Sequence, residues 1–152
     1  MSDKSIELVL ARDDDYECSY QVKKAAEGEL IHKIFGWNET SQREFHRKDW
    51  MEKRPSIIKF GGKTICTMAV TESDGHIEVG QLFILPEYQN RGIGSHLLRR
   101  ALQKADISNV PVRLVFLQGN RAEALYRRNG FQLIRQTDTH CYMERRPQTI
   151  TQ

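Results

Sequence analysis

Two short stretches of this chain carry residue types spaced for chemistry. The first is Gln89-Asn90-Arg91-Gly92-Ile93-Gly94, which follows Ile84-Leu85-Pro86. Gly92 and Gly94 stand where an amphipathic pattern begins. The first N–H groups of a helix have no intrahelical partner, and the helix dipole adds about +0.5 charge there. Glycines let a bulky anion approach that backbone, so the stretch reads as a cradle for a phosphate or diphosphate. It is not a P-loop, because the Lys-[Ser/Thr] ending is absent. Nor is it a dinucleotide fingerprint, because Leu97 stands at the third glycine position. The second stretch runs from Asn120 to Phe131. Asn120 opens a short helix, Ala122, Leu125 and Tyr126 share a face, and Gly130 ends it. On its own, Tyr126 reads as a core tyrosine on an amphipathic helix, as most tyrosines do.

The segments that position these stretches can be read in order. Ile6, Leu8 and Leu10 alternate within a first strand, Ser5 to Ala11. Asp13-Asp14-Asp15 supplies a helix start, with Asp14 and Glu17 at capping-box spacing. The helix that follows reaches about Phe35, with a break expected near Gly28. After the turn Gly36-Trp37-Asn38, a polar helix runs from about Thr40 to Lys53. Ser56 to Phe60, Gly61-Gly62 and Lys63 to Glu72 read as a hairpin. His76 to Leu85 is a further strand. Ile77 and Val79 share one parity and Leu82 and Ile84 the other, which fits either a bulge near Gly80-Gln81 or a regular strand buried on both faces. Ile93, Leu97, Leu98, Ala101, Leu102 and Ala105 form the clearest amphipathic helix. Val110 to Leu117 reads as a strand covered on both faces. Asn120 to Asn129 is a helix, and Phe131 to Gln136 and His140 to Arg145 are the last strands. The order β-αα-βββ-α-β-α-ββ makes one α/β domain over residues 1–152 with a mixed sheet, and the tail from Pro147 to Gln152 is expected to fray.

Composition narrows the classes. The 152 residues hold 23 Lys and Arg against 20 Asp and Glu, a net charge of +3. The basic doublets Arg99-Arg100, Arg127-Arg128 and Arg145-Arg146 are scattered, so nucleic-acid binding is not expected. No apolar run approaches the ~20 residues of a membrane span, and no signal peptide is read at the N-terminus. Cys18, Cys66 and Cys141 lack metal-ligand spacing and read as reduced thiols, which points to the cytoplasm.

Together the two stretches resemble the GNAT superfamily of acyl-CoA-dependent N-acetyltransferases, over Ser5 to Arg145. Gln89 to Gly94 meets the pattern Q/R-x-x-G-x-G/A. Asn120, Tyr126 and Gly130-Phe131 follow the pattern N-x-x-A-x-x-x-Y-x-x-x-G-F, with Ala122 and Ala124 at only approximate alanine spacing. The resemblance implies a GNAT fold, in which the co-substrate acetyl-CoA lies between two splayed parallel strands, His76–Leu85 and Val110–Leu117. It implies that Phe83, Ile84 and Leu85 pair with the pantetheine arm. Backbone N–H groups from Gln89 through Asn90, Arg91, Gly92, Ile93 and Gly94 to Ser95 would hold the diphosphate, and Asn120 would steer the thiol. Tyr126 matches the general acid, and Glu78 matches the offset of a strand glutamate that serves as base. His140 and Asp138 are alternative polar groups, and a water chain is another route for the proton. The acceptor would enter over the first two helices and the last hairpin. Trp37 and His140 would border it, and Glu39, Glu44 and Asp49 are interrupted as a cation site by Arg43, Arg47 and Lys48. No metal is implied. The acceptor is an amine of a small molecule or peptide, a homodimer stays open, and the alternative is a non-catalytic acyl-CoA-binding or sensing module.

Overall fold

A computed structural model describes residues 6–149. The N-terminal segment 1–5 and the end of the tail, 150–152, lie outside the described residues. The elements are β1 (Ile6–Leu10), α1 (Tyr16–Phe35), α2 (Glu39–Glu52), β2 (Ser56–Phe60), β3 (Lys63–Ser73), β4 (His76–Ile84), α3 (Ile93–Ser108), β5 (Val112–Leu117), α4 (Ala122–Arg128), β6 (Gln132–Gln136) and β7 (His140–Arg145). The seven strands follow the order β1-β2-β3-β4-β5-β7-β6 in one mixed sheet. This is the expected succession of elements. The described residues group into two compact units, 6–69 with 81–91 and 70–80 with 92–149.

In the first unit the β2–β3 hairpin turns at Gly61 and Gly62, with φ of 57° and 80°, the left-handed pair that a two-residue turn requires. Trp50 of α2 is buried with Ala11 and Ile57, and Val9 and Tyr16 pack against them. Asn38 caps α2 by accepting the Ser41 N–H at 2.9 Å. Two expectations are corrected here. Helix α1 runs unbroken through Gly28, where a Cβ would meet Lys24 and the Trp37 ring at an ordinary contact distance of 3.6 Å, so a single glycine is carried within the helix without being required by packing. The start before α1 is closed by Asp15, whose carboxylate accepts the Arg12 N–H at 2.8 Å, rather than by Asp14 with Glu17. Glu17 is held elsewhere, by Arg43.

In the second unit α3 buries Ile93, Leu97, Leu98, Ala101, Leu102 and Ala105, the stripe read from the sequence. Asn109 ends it in the left-handed conformation and the Val110 N–H returns to the Ala105 carbonyl at 3.0 Å. That closure, followed by Pro111, delays β5 to Val112. Strand β5 alternates, with Val112, Leu114 and Phe116 buried and Arg113 and Val115 exposed. The expectation of cover on both faces is therefore corrected. The exposed face instead carries an ion pair, Arg113 Nε to Glu144 at 2.9 Å, across to β7. Arg145 and Asp106 form a buried two-point pair at 2.8 and 3.1 Å, and the Gln148 N–H adds a third bond to Asp106 at 2.9 Å. The start of the tail is thereby held.

Candidate functional site

Of the two readings of β4, the irregular one is observed. Gln81 has φ of 50°, in the left-handed region that a glutamine seldom adopts. Its carbonyl accepts the buried Thr67 hydroxyl at 2.7 Å, and its side-chain amide donates to the Lys53 carbonyl at 2.7 Å. Two hydrogen bonds thus offset the strain of one backbone kink. Beyond it Phe83, Ile84 and Leu85 are half-buried. They do not offer equal backbone groups. The Leu85 N–H donates to Ile65 of β3 at 2.9 Å, while the Ile84 carbonyl accepts the Gln89 side-chain amide at 2.9 Å. Gln89 therefore anchors the turn that follows.

That turn is the stretch expected to cradle an anion. Asn90 has φ of 62° and Gly92 has φ of 82°, both left-handed. Such kinks turn successive N–H groups to the same side. Gly92 is the N-cap of α3, provides no side-chain cap, and no acidic residue stands in the first turn. The positive end of the dipole is thus not answered by the helix itself. A Cβ at Gly92 would meet nothing within 4 Å, so space is open above it. Arg91 is exposed, with its guanidinium 5.3 Å from the centre of the Tyr88 ring. Ile93 and Gly94 are buried, and Ser95 is half-buried. These features fit a diphosphate.

The second stretch lies in the same unit as α3. Asn120 accepts the Ala122 N–H on its side-chain oxygen at 2.9 Å, which starts α4. Gly130, with φ of 90°, ends the helix. Tyr126 is 5% exposed, its ring 5.3 Å from that of Phe116 and 5.9 Å from that of Phe131. Asn129 ties the end of α4 to Ser95. Glu78 is half-buried and stands in register with Arg113 of the parallel strand β5. Phe116 has the opposite parity to Arg113, so Glu78 and Tyr126 lie on opposite faces of the β4–β5 pair. His140 begins β7, with Nδ1 2.7 Å from the Thr139 hydroxyl.

The family model described as an acetyltransferase (GNAT) domain matches residues 53–133, more than half of the chain and both motif stretches. The chain belongs to the GNAT acetyltransferase family. It is an acyltransferase of that family, and its fold agrees with solved GNAT structures. It is similar to PaiA N-acetyltransferase from Thermoplasma acidophilum, solved in complex with coenzyme A, at 18% identity over 96% of this chain and 99% of that one, with a TM-score of 0.74. It is similar to the ribosomal-protein-S18-alanine N-acetyltransferase from Escherichia coli at 17% identity over 97% and 96%, with a TM-score of 0.68. An acetyltransferase from Thermus thermophilus is similar at 15% identity over 93% and 97%, with a TM-score of 0.71. No curated protein matches the chain in sequence.

Along α1 and α2 the structure adds residues that motif reading passed over. Arg43 grips Glu17 at 2.6 and 2.8 Å and stacks 3.8 Å from the centre of the Tyr20 ring. Glu39 accepts from Trp37 Nε1 at 2.7 Å, and this bond leads the contacts that hold its carboxyl below the usual range. Trp37 is half-buried, with the Lys24 ammonium 5.4 Å from its ring centre. The ring is thus engaged by α1. His46 is 2% exposed, shares a 2.8 Å hydrogen bond with the Ser19 hydroxyl, and is pushed down to about 4 by burial, helped by Lys23 and Arg43. Lys23 is 7% exposed and its ammonium lies 6.0 Å from the centre of the Phe83 ring. Burial raises the carboxyls of Glu27 and Asp49, and Lys23 opposes the rise in both. Lys23 shares the buried side of α1 with Ser19, Tyr20 and Val22, which no motif in the sequence marks. Among the described residues no helix is long and apolar enough to cross a membrane, and no group of three His, Cys, Asp or Glu could hold a metal ion.

Proposed function

We propose that this chain moves an acetyl group from acetyl-CoA to a primary amine of a small molecule or peptide by direct attack. The observation that carries the reading is the start of α3: a left-handed Asn90 and Gly92, no side-chain cap and no carboxylate in the first turn. An anionic carrier is what such a backbone binds. Gln89 to Ser95 would hold the diphosphate of the carrier. Phe83, Ile84 and Leu85 would border the pantetheine arm, with Asn120 beside the thiol. A backbone N–H at the Gly80–Gln81 kink would take the thioester oxygen as it becomes negative.

The amine nitrogen bonds to the thioester carbon, giving a tetrahedral intermediate, and the carbon–sulfur bond then breaks. Glu78 takes the proton that the amine loses. Tyr126 gives its phenolic proton to the leaving thiolate and regains one from solvent. A phenol of reference pKa about 10 is protonated at neutral pH, and donation to a sulfur near ~8.5 is a small uphill step. Glu78 and Tyr126 on opposite faces would serve the amine and the sulfur from opposite sides. Trp37 and His140 would border the acceptor. The test is release of free thiol from acetyl-CoA across a panel of amines. Tyr126→Phe should lower kcat by about 10²-fold on the best acceptor.

A second reading is favoured by the packing of Tyr126 between Phe116 and Phe131. If that ring is structural alone, the chain is an acyl-CoA-binding module. Tight coenzyme A binding with no turnover of any amine, or equal turnover by Tyr126→Phe, would select it.

A further inference from the structure

Lys23 and Glu27 stand one helical turn apart on α1, a spacing at which an ammonium and a carboxylate commonly join. They do not join here. Among the described residues Lys23 makes no hydrogen bond and no ion pair within 4.0 Å, although it is only 7% exposed. Its ammonium instead lies over Phe83, the residue proposed above to border the pantetheine arm. Glu27 is half-buried on the same helix face, and Asp49 of α2 adds a second negative charge that both groups sense. His46 is the remaining titratable group facing Lys23, and burial keeps it neutral at pH 7.

Opposite charges one helical turn apart that do not pair leave both groups open to a ligand. The Lys23 ammonium is not sealed from water and, among the described residues, bonds no carboxylate, so an anionic oxygen can reach and bond it. A ligand with its own two poles would engage both groups if its oxygen met Lys23 and its nitrogen met Glu27.

We propose that Lys23 and Glu27 select an acceptor amine that carries a carboxylate or carbonyl oxygen on the neighbouring carbon, an α-amino acid or the amino terminus of a peptide. Lys23 donates to the oxygen, and Glu27, with the field of Asp49, holds the amine before transfer. This inference rests on the acetyl-transfer reading and names its substrate class. A full carboxylate bonds an ammonium more strongly than a neutral carbonyl does, so free amino acids should bind better than peptides.

The experiment compares L-amino acids, their decarboxylated amines and short peptides with free amino termini. Turnover is read as thiol release, and binding is read by calorimetry with coenzyme A present. The wild type should prefer the amino acid to its decarboxylated counterpart by about 10-fold or more in kcat/KM. Lys23→Met should collapse that preference towards one. Glu27→Gln should weaken both compounds alike. Thermal melting of both variants checks folding, and Lys23→Gln supplies a second neutral replacement of similar length. Equal use of amino acids and simple amines by the wild type, or an undiminished preference in Lys23→Met and Lys23→Gln, overturns the inference while leaving acetyl transfer intact. Coenzyme A binding with no turnover and no calorimetric signal from any amino acid or peptide overturns both.

Discussion

The Asn129 side-chain amide, at the end of α4, donates to the Ser95 hydroxyl in the first turn of α3 at 3.3 Å. The same amide nitrogen donates to the Leu125 carbonyl at 2.8 Å. One side chain thereby closes the helix that bears Tyr126 and connects it to the helix that opens with Gly92. Asn129→Ala should lower stability by about 1 kcal/mol, the loss of ordinary hydrogen bonds. It should also raise the KM for acetyl-CoA, because Ser95 loses its tether. A melting curve and initial rates against acetyl-CoA check both. An unchanged KM with a lowered melting temperature would restrict Asn129 to a structural part.

Gly92→Ala tests the cradle. Its φ of 82° disfavours any side chain, and a Cβ there meets nothing within 4 Å. The expected stability loss is therefore backbone strain alone, about 1–2 kcal/mol. The new methyl projects into the space proposed for the diphosphate, so affinity for coenzyme A should fall by about 10-fold or more. Calorimetric titration reads this directly, and an affinity within about twofold of wild type would remove the diphosphate from this turn.

Thr67→Val removes the hydroxyl that the Gln81 carbonyl accepts while keeping the shape of the buried side chain. The left-handed Gln81 would lose one of its two restraints. Stability should fall by about 1–2 kcal/mol. If the kink supplies the oxyanion donor, kcat should fall by up to ~10²-fold, the scale of losing one such donor, while coenzyme A affinity holds. Equal kcat in the two proteins would place the oxyanion donor elsewhere.

The buried His46 sets a pH response. Burial lowers its pKa from 6.5 to about 4 in the folded chain, so the unfolded chain holds more protons between those values. Stability contributed by this site is therefore present above pH 6.5 and lost as pH falls towards 4, by about 1.4 kcal/mol per pH unit. His46→Gln should be less sensitive to acid over that window than the wild type. Urea melts at about pH 7, 5.5 and 4.5 on both proteins measure the difference.

The hairpin turn at Gly61-Gly62, the helix start at Gly92 and the stripe of α3 were legible in the sequence, and the parity switch near Gly80-Gln81 marked the kink as one of two readings. Each follows from a local rule: positive φ at glycines, a switch of strand parity, or apolar residues every third and fourth position. The boundaries that shifted did so through local closures with no strong composition signal, such as the Val110 N–H returning to Ala105. Gly28 shows the limit from the other side. A glycine within a helix reads as a break, but it costs only about 1 kcal/mol, and the long helix α1 carries it without interruption.

The local order of strands and helices, the left-handed turn before α3 and the family were therefore determined by the sequence itself, because they depend on residues within a few positions of one another. Tertiary structure alone decided that Arg43 answers Glu17 across 26 positions, that Tyr126 packs between Phe116 and Phe131, and that Lys23 is buried over Phe83 without closing on Glu27. A side chain's partner and its exposure to water are properties of the packed chain. The same lysine on an open helix face would be an ordinary hydrated charge.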